Sequence, residues 1–253
     1  MSDKSADRKL LGVVIPVYNE EECITEVITS WDSFMQNYIG DKYIILVMDD
    51  GSKDKTPQIT DALANQFGNL RVVHQKNGGH GNAVLNGYNK ILEYNTEWVF
   101  QVDSDNQFLP EDFPSLWEER HGSRFILGYR RKRYDDFNRL IITRIVRAFN
   151  FILFRCYIPD SNIPYRLIKT DYLSKLLKVL PDQPFAPNIF LSVLACRDGN
   201  DTKNIPVTHK ERETGQVSII KLKLLKVCMR SAKELFNFSA TINQRLRKLN
   251  SEN

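Results

Sequence analysis

Asp103-Ser104-Asp105 places two carboxylates two residues apart, directly after the apolar run Trp98-Val99-Phe100-Gln101-Val102. Carboxylates converging at a strand end suit a hard divalent cation. Mg²⁺ and Mn²⁺ prefer such oxygens and commonly share their coordination with substrate phosphates. By itself the triplet is also a common solvated loop. Asp49-Asp50-Gly51-Ser52 follows a second apolar run. It reads either as a turn whose Ser52 or Asp54 caps the next helix, or as a carboxylate for the donor groups of a nucleobase or ribose. Asn77-Gly78-Gly79-His80-Gly81 permits close backbone approach to a ligand. It lacks the Gly-Lys-Ser/Thr of a P-loop, and His80, with no paired ligand nearby, reads as an ordinary loop histidine. In the second half, Arg130, Arg133 and Arg166 suit planar, charge-assisted recognition of phosphate oxygens, against the alternative of a solvated basic face. Arg131 and Lys132 read as solvated.

The elements that would hold these groups alternate. Leu11–Ile15, Tyr43–Met48, Leu70–Val73 and Trp98–Val102 are short apolar runs typical of strands buried on both faces. Between them lie helical patterns. Ile24, Val27, Ile28 and Trp31 share one face, Ile59, Leu63 and Phe67 lie about one turn apart, and Leu85, Tyr88 and Leu92 mark a third helix. Four strand–helix alternations predict right-handed βαβ units and a mostly parallel sheet. Each polar cluster falls at a strand's carboxyl end, where open α/β sheets bind ligands. After residue 104 the alternation loosens. Phe125–Gly128 reads as a strand, residues 137–157 as a long helix, and residues 217–249 as one or two basic helices. The expected organisation is a flexible leader at 1–9, one domain at 10–215, and a basic amphipathic extension at 216–253.

The 253 residues are 42% hydrophobic and 26% charged, which argues against a mainly disordered chain. No uncharged apolar run approaches the ~18 residues of a membrane span, and the N-terminus lacks the apolar core of a secretory signal. Cys23, Cys156, Cys196 and Cys228 have no paired spacing, so reduced thiols are expected rather than a zinc site or disulfides. Charge is uneven. Residues 1–119 hold 9 basic and 20 acidic side chains, and residues 120–253 hold 26 and 11. An acidic half beside a basic one fits a metal site next to an anion-binding surface. Nucleic-acid binding would leave the acidic half and the sheet-end clusters unexplained.

Taken in order, Val14-Ile15-Pro16-Val17-Tyr18-Asn19-Glu20, Asp49-Asp50-Gly51-Ser52, Asn77 to Gly81 with Ala83 and Gly87, and Asp103-Ser104-Asp105 resemble the inverting glycosyltransferases of family 2. The resemblance covers about residues 11–130. It implies a GT-A fold, a Rossmann-like mostly parallel sheet flanked by helices that binds a nucleotide sugar. It further implies that Pro16, Tyr18, Glu20 and Asp50, with Gly78, Gly81 and Ser104, hold the donor. Asp105 would be the main metal ligand, and Asp103 would flank sugar and diphosphate as a second. Gly128–Asp135 is similar to the G-x-R-x-x-R-x-D segment of polyprenyl-phosphate glycosyltransferases, the group containing dolichol-phosphate mannose synthase. Asp160–Arg166 looks like that group's segment ending in a phosphate-binding arginine, and His209–Ser218 like its H-x-x-R-x-x-G-x-[ST]-S segment, with Val217 where Ser or Thr is usual. Arg130, Arg133, Arg166, Arg212 and Ser218 would then bind the acceptor phosphate, Arg133 close to the chemistry.

The implied activity is inverting sugar transfer from a UDP- or GDP-linked donor to a polyprenyl phosphate of dolichyl or undecaprenyl type, with Mg²⁺ or Mn²⁺. A phosphate acceptor is already anionic and needs cations to orient it rather than a base. The runner-up is transfer to a glycan hydroxyl, which needs a base. Asp182, Glu211 and Glu213 are the available carboxylates, none of them convincing. A third reading is a non-catalytic nucleotide-sugar subunit docked on a membrane protein. The expected location is cytoplasmic or peripheral at the cytoplasmic face of a membrane. Residues 221–248, with 8 Lys/Arg and the single acid Glu234, either lie on lipid or pack on the core. Core packing is favoured for part of 137–157, where Arg144, Arg147 and Asn150 share one face and Phe149, Ile152 and Leu153 lie off it.

Overall fold

A computed structural model describes residues 8–131, 137–199, 202–210 and 221–251, with side chains left out at 137–143 and 221–229. Its strands are β1 (Leu11–Val17), β2 (Tyr43–Asp49), β3 (Leu70–His74), β4 (Trp98–Gln101), β5 (Phe125–Arg130), β6 (Arg166–Lys169) and β7 (Thr202–Val207). The α-helices are α1 (Ile24–Ile39), α2 (Thr56–Ala64), α3 (His80–Ile91), α4 (Phe113–Glu118), α5 (Phe137–Phe154), α6 (Thr170–Lys178), α7 (Pro187–Arg197) and α8 (Lys221–Ser251). The strands form one seven-stranded sheet in the order β3-β2-β1-β4-β6-β5-β7.

The expected amino half is present. β1 pairs in parallel with β2 and β4, and β2 with β3. All residues of β1 and β2 are buried, which is why they read as unbroken apolar runs. α1 turns Ile24, Val27, Ile28, Trp31 and Met35 into the core. α3 lies so close to the sheet that a Cβ on Gly87 would meet Val14 Cγ1 at 2.5 Å.

The second half adds two strands absent from the sequence reading. β6 inserts between β4 and β5, antiparallel to both. β7 pairs in parallel with β5 at the edge. Because β6 runs backwards, its first residue, Arg166, lies beside Gln101 at the end of β4 and Leu127 in β5. Residues 221–251 form one helix of 31 residues, not two. Its Leu235, Phe238, Ile242 and Leu249 belong to the same core as the sheet. Phe238 packs on Phe154 of α5 and Phe190 of α7, with ring centroids 5.8 and 4.9 Å apart. Among the described residues no helix is long and apolar enough to cross a membrane.

α5 packs in part on the core, through Val146, Leu153 and Phe154. Asn150 is buried and donates to Ser161 Oγ at 3.0 Å, while Arg147 donates to the Pro159 carbonyl at 2.6 and 3.1 Å. Arg147 and Asn150 therefore face the protein together with Leu153, whereas Arg144 is exposed and Ile152 faces solvent at 67% exposure.

Candidate active site

The carboxyl ends of β1, β2 and β4 carry three of the four segments, and the glycine turn closes over them. The turn after β1 is built on Asn19, whose φ of 54° is in the left-handed region that Asn tolerates. It is laced to the segment after β2: Asn19 N–H donates to Ser52 Oγ (2.9 Å), Lys53 N–H to Asn19 Oδ1 (2.8 Å), and Glu20 N–H to Thr56 Oγ1 (2.9 Å). Asp54 accepts from the Glu21 and Thr56 N–H groups. Burial alone would raise its pKa, but these bonds outweigh it and hold the carboxyl below its ordinary value. Pro16 is buried in β1, and Tyr18 is 39% exposed.

Asp50 is buried, and its carboxylate organises the glycine turn. Oδ1 accepts from Gln75 Nε2 (2.7 Å) and Gly78 N–H (2.9 Å), and Oδ2 from Gly79 N–H (2.8 Å). Three of about four acceptor positions on a carboxylate are thus taken by protein. Asp49 next to it accepts from Ser52 N–H and bonds His74 Nδ1 at 2.8 Å. This bond, opposed by burial and aided by Asp61, raises the His74 pKa. Glycine is needed at 81 for contact with protein: a Cβ there would strike the Phe185 carbonyl oxygen. The turn delivers His80 to the first position of α3, with Nε2 3.8 Å from Asp103 Oδ1.

Asp103 stands at the meeting point. Its side chain is 24% exposed. Burial pushes its pKa up to about 6. His80 pulls it down, Asp105 pushes it up, and Arg130 and Arg166 oppose that rise. Behind it, Gln101 Nε2 donates to Asp103 Oδ1 at 3.3 Å, and Gln101 Oε1 accepts from Tyr88 OH (3.0 Å) and Asn188 Nδ2 (2.9 Å). Ser104 is buried, and its carbonyl accepts from Cys23 Sγ, which also reaches Glu20 Oε2, both at 3.3 Å. Asp105 Oδ1 accepts from Gln107 N–H. Gln107 in turn bonds the backbone of Lys210 in both directions.

Asp105 lies close enough to Asp103 for its charge to raise the cost of ionising it, and two carboxylates so placed fit one side of a Mg²⁺ or Mn²⁺ shell. Among the described residues no group of three or more His, Cys, Asp or Glu side chains could complete a cage. That also fits these ions, which keep waters and take substrate phosphates.

The basic residues divide. Arg130 ends β5 and grips Asp160 through two bonds, Nε–Oδ2 at 2.7 Å and Nη2–Oδ1 at 3.1 Å. Arg166, expected to hold phosphate, is fully buried. Its guanidinium donates to the carbonyls of Ser161, Ile163 and Asn188 and to Ser192 Oγ. Burial, opposed by Tyr88, Asp160 and Asp103, lowers its pKa. Asp182 is exposed and its charge acts on Arg245 of α8. Arg133, Arg212, Ser218, Glu211 and Glu213 lie outside the described residues.

His80, Gln101, Cys23 and Asn188 were missed as site residues. Only His80 had a sequence signal, its place in the glycine turn.

Among curated proteins, the chain is 28% identical over 222 residues to an undecaprenyl-phosphate 4-deoxy-4-formamido-L-arabinose transferase of Edwardsiella ictaluri, covering 87% of this chain and 66% of that one. It is 29% identical over 195 residues to a UDP-N-acetylglucosamine–dolichyl-phosphate N-acetylglucosaminyltransferase of Methanococcus voltae, covering 69% and 74%. The chain thus spans just under two thirds of the first relative's length. In solved structures, glucosyl-3-phosphoglycerate synthase of Mycobacterium tuberculosis, crystallised with Mn²⁺, UDP and phosphoglyceric acid, superposes with a TM-score of 0.63 at 19% identity, over 91% of this chain and 78% of that one. That likeness concerns the fold, which is of the GT-A type. The profile of glycosyl transferase family 2 matches residues 12–180. A match running from β1 to just beyond α6, with all four sheet-edge segments inside it, makes this chain a member of glycosyl transferase family 2.

Proposed function

We propose that the protein transfers a sugar, with inversion, from a nucleoside diphosphate sugar to a polyprenyl phosphate at a membrane surface, using Mg²⁺ or Mn²⁺. The observation that carries the reading is that Asp103, at the sheet edge, lies within reach of the charges of both Asp105 and Arg130, the latter gripped by Asp160. It agrees with what the relatives from Edwardsiella ictaluri and Methanococcus voltae are named for, transfer to undecaprenyl and dolichyl phosphate. The turns at 16–20 and 50–52 and the Asp50-braced glycine turn hold the donor. Asp105 and Asp103 hold the cation, which when bound supplies positive charge to the departing diphosphate. Arg130, fixed in orientation by Asp160, brings its positive charge to the acceptor phosphate, joined by Arg133, Arg212 and Ser218. A phosphate oxygen attacks the anomeric carbon as the bond to the nucleoside diphosphate breaks. The acceptor carries no proton that must be removed, so no carboxylate base enters the step.

The test is a panel of UDP- and GDP-sugars with short polyprenyl phosphates and either metal, product being extracted into organic solvent. Labelled lipid product from the phosphate and none from the free polyprenol is expected. Transfer to the polyprenol or to a glycan hydroxyl alone would refute the reading.

A further inference from the structure

Seven large hydrophobic side chains are exposed among the described residues, and four of them, Ile145, Phe151, Ile152 and Tyr157, lie on α5 or just beyond it. On α5 the exposed positions are Arg144, Ile145, Ala148, Phe151 and Ile152, and Arg155, just past the helix end, is also exposed. At 3.6 residues per turn the five on the helix fall within about a third of its circumference. The opposite face carries Arg147, Asn150 and Phe154, all engaged with the protein. The outward face of α5 is thus apolar although Val146, Leu153 and Phe154 already serve the core, with Arg144 at its start and Arg155 just past the helix end. Residues 144–157 contain no acid.

The inner face of the same helix is tied to the acceptor side of the site. Arg147 holds the Pro159 carbonyl and Asn150 holds Ser161. Asp160, between them, grips Arg130. The apolar stripe therefore lies about one helix diameter, ~10 Å, from the loop that orients Arg130.

We propose that the outer face of α5 docks on an anionic lipid bilayer, Phe151 and Ile152 entering the headgroup–acyl boundary and Arg144 and Arg155 meeting lipid phosphates. Tyr157, 67% exposed just past the helix, adds an aromatic side chain suited to that boundary. This deepens, and rests on, the reading that the acceptor is a membrane lipid: a phosphate at the bilayer surface would arrive where Asp160 holds Arg130. The charge pattern argues against a second copy of the chain as occupant, because a two-fold contact through this face would set arginines against arginines. α8 is instead held on the core through Leu235, Phe238, Ile242 and Leu249.

The test is sedimentation of the full chain with phosphatidylcholine vesicles, with and without phosphatidylglycerol, in the absence of donor and acceptor. Binding needs no turnover, so its outcome is independent of whether the transfer reaction is assigned correctly. The wild type is expected to bind the anionic vesicles and to be released by salt. Phe151→Glu with Ile152→Glu should weaken partitioning by at least about tenfold. Arg144→Gln and Arg155→Gln should each weaken it by about fivefold. Phe236→Glu, an exposed site on α8, should leave it unchanged, and circular dichroism verifies that each variant is folded. Three results would overturn the proposal: no wild-type binding to anionic vesicles, undiminished binding by the folded Phe151/Ile152 variant, or a dimer in solution that this variant dissolves.

Discussion

Replacing Arg166 by Lys separates a core role from direct contact with the acceptor. The five N–H groups of Arg166 reach four acceptors, Ile163 O, Asn188 O, Ser161 O and Ser192 Oγ, at 2.6–3.3 Å. An ammonium offers three donors from a single point, so at least two of these bonds are lost. Because Ile163 O takes two of the five bonds, three donors leave at least one of the four acceptors unpaired and sealed from water, at about 1–3 kcal/mol. In a chain of this size that lowers Tm by roughly 2–12 °C at ~2–4 °C per kcal/mol. Thermal unfolding of the ligand-free protein by circular dichroism measures this directly. Arg166→Met should unfold still more readily, since it gives the carbonyls no donor at all. If Arg166→Lys kept the wild-type Tm and instead raised KM for the polyprenyl phosphate, the guanidinium would be facing substrate, and the core role would be wrong.

Three further expectations concern the acidic side. Asp105→Ala should reduce transfer by at least about a hundredfold while the protein stays folded, since charge stabilisation of the departing diphosphate is lost; full turnover in EDTA would refute the metal assignment. Asp50→Asn turns an amide N–H toward that of Gly79, loosening the glycine turn by about 2 kcal/mol; calorimetry should show nucleoside diphosphate affinity weakened roughly tenfold or more, and unchanged affinity would free Asp50 from that role. Asp103 is raised to about 6 in the folded chain against an ordinary 3.8. Its protonated form therefore stabilises the fold below about pH 4, and that contribution is lost as pH rises through 6. In EDTA at pH 7.5, Asp103→Asn should raise Tm, by at most ~3 kcal/mol of stability and by less because the side chain is partly hydrated. The gain should vanish toward pH 4, and an equal gain at both pH values would contradict the burial argument.

The amino half was legible because strands buried on both faces must be apolar throughout, and each is cut off by a polar turn. The second half hid its elements for physical reasons. β7 reads Thr-Lys-Asn-Ile-Pro-Val, half exposed at the sheet edge, so no hydrophobic run announces it. β6 has four residues and begins with a buried arginine. α7 is buried on all sides from Pro187 to Ala195, so it shows no amphipathic period. The period of α5 was visible, but a period does not say which stripe faces inward. Nor does any local signal tell an arginine that binds phosphate from one that binds carbonyls, since both offer the same fork of donors. The nearness of the Cys156 and Cys196 thiols, forty residues apart, was likewise beyond spacing arguments.

The reversed strand explains how the two charged halves of the chain come to share one site. A parallel β6 would start at the far end of the sheet and carry the 156–165 loop away from Asp103. Running antiparallel, it begins level with Gln101 and Leu127, so the loop before it lies across the carboxyl edge. Arg166, the first residue of that strand, then braces both sides. Through Ser161 and Ile163 it fixes the loop whose Asp160 orients Arg130. Through Asn188 it reaches Gln101, and through Gln101 the carboxylate of Asp103. An apolar residue could fill the volume but could not tie these loop and helix carbonyls together. A buried cation whose charge is met by backbone carbonyls is expensive in free energy. Its place between the acidic pair and the Arg130–Asp160 pair accounts for that expense, because one rigid fork sets the position of the groups on both sides.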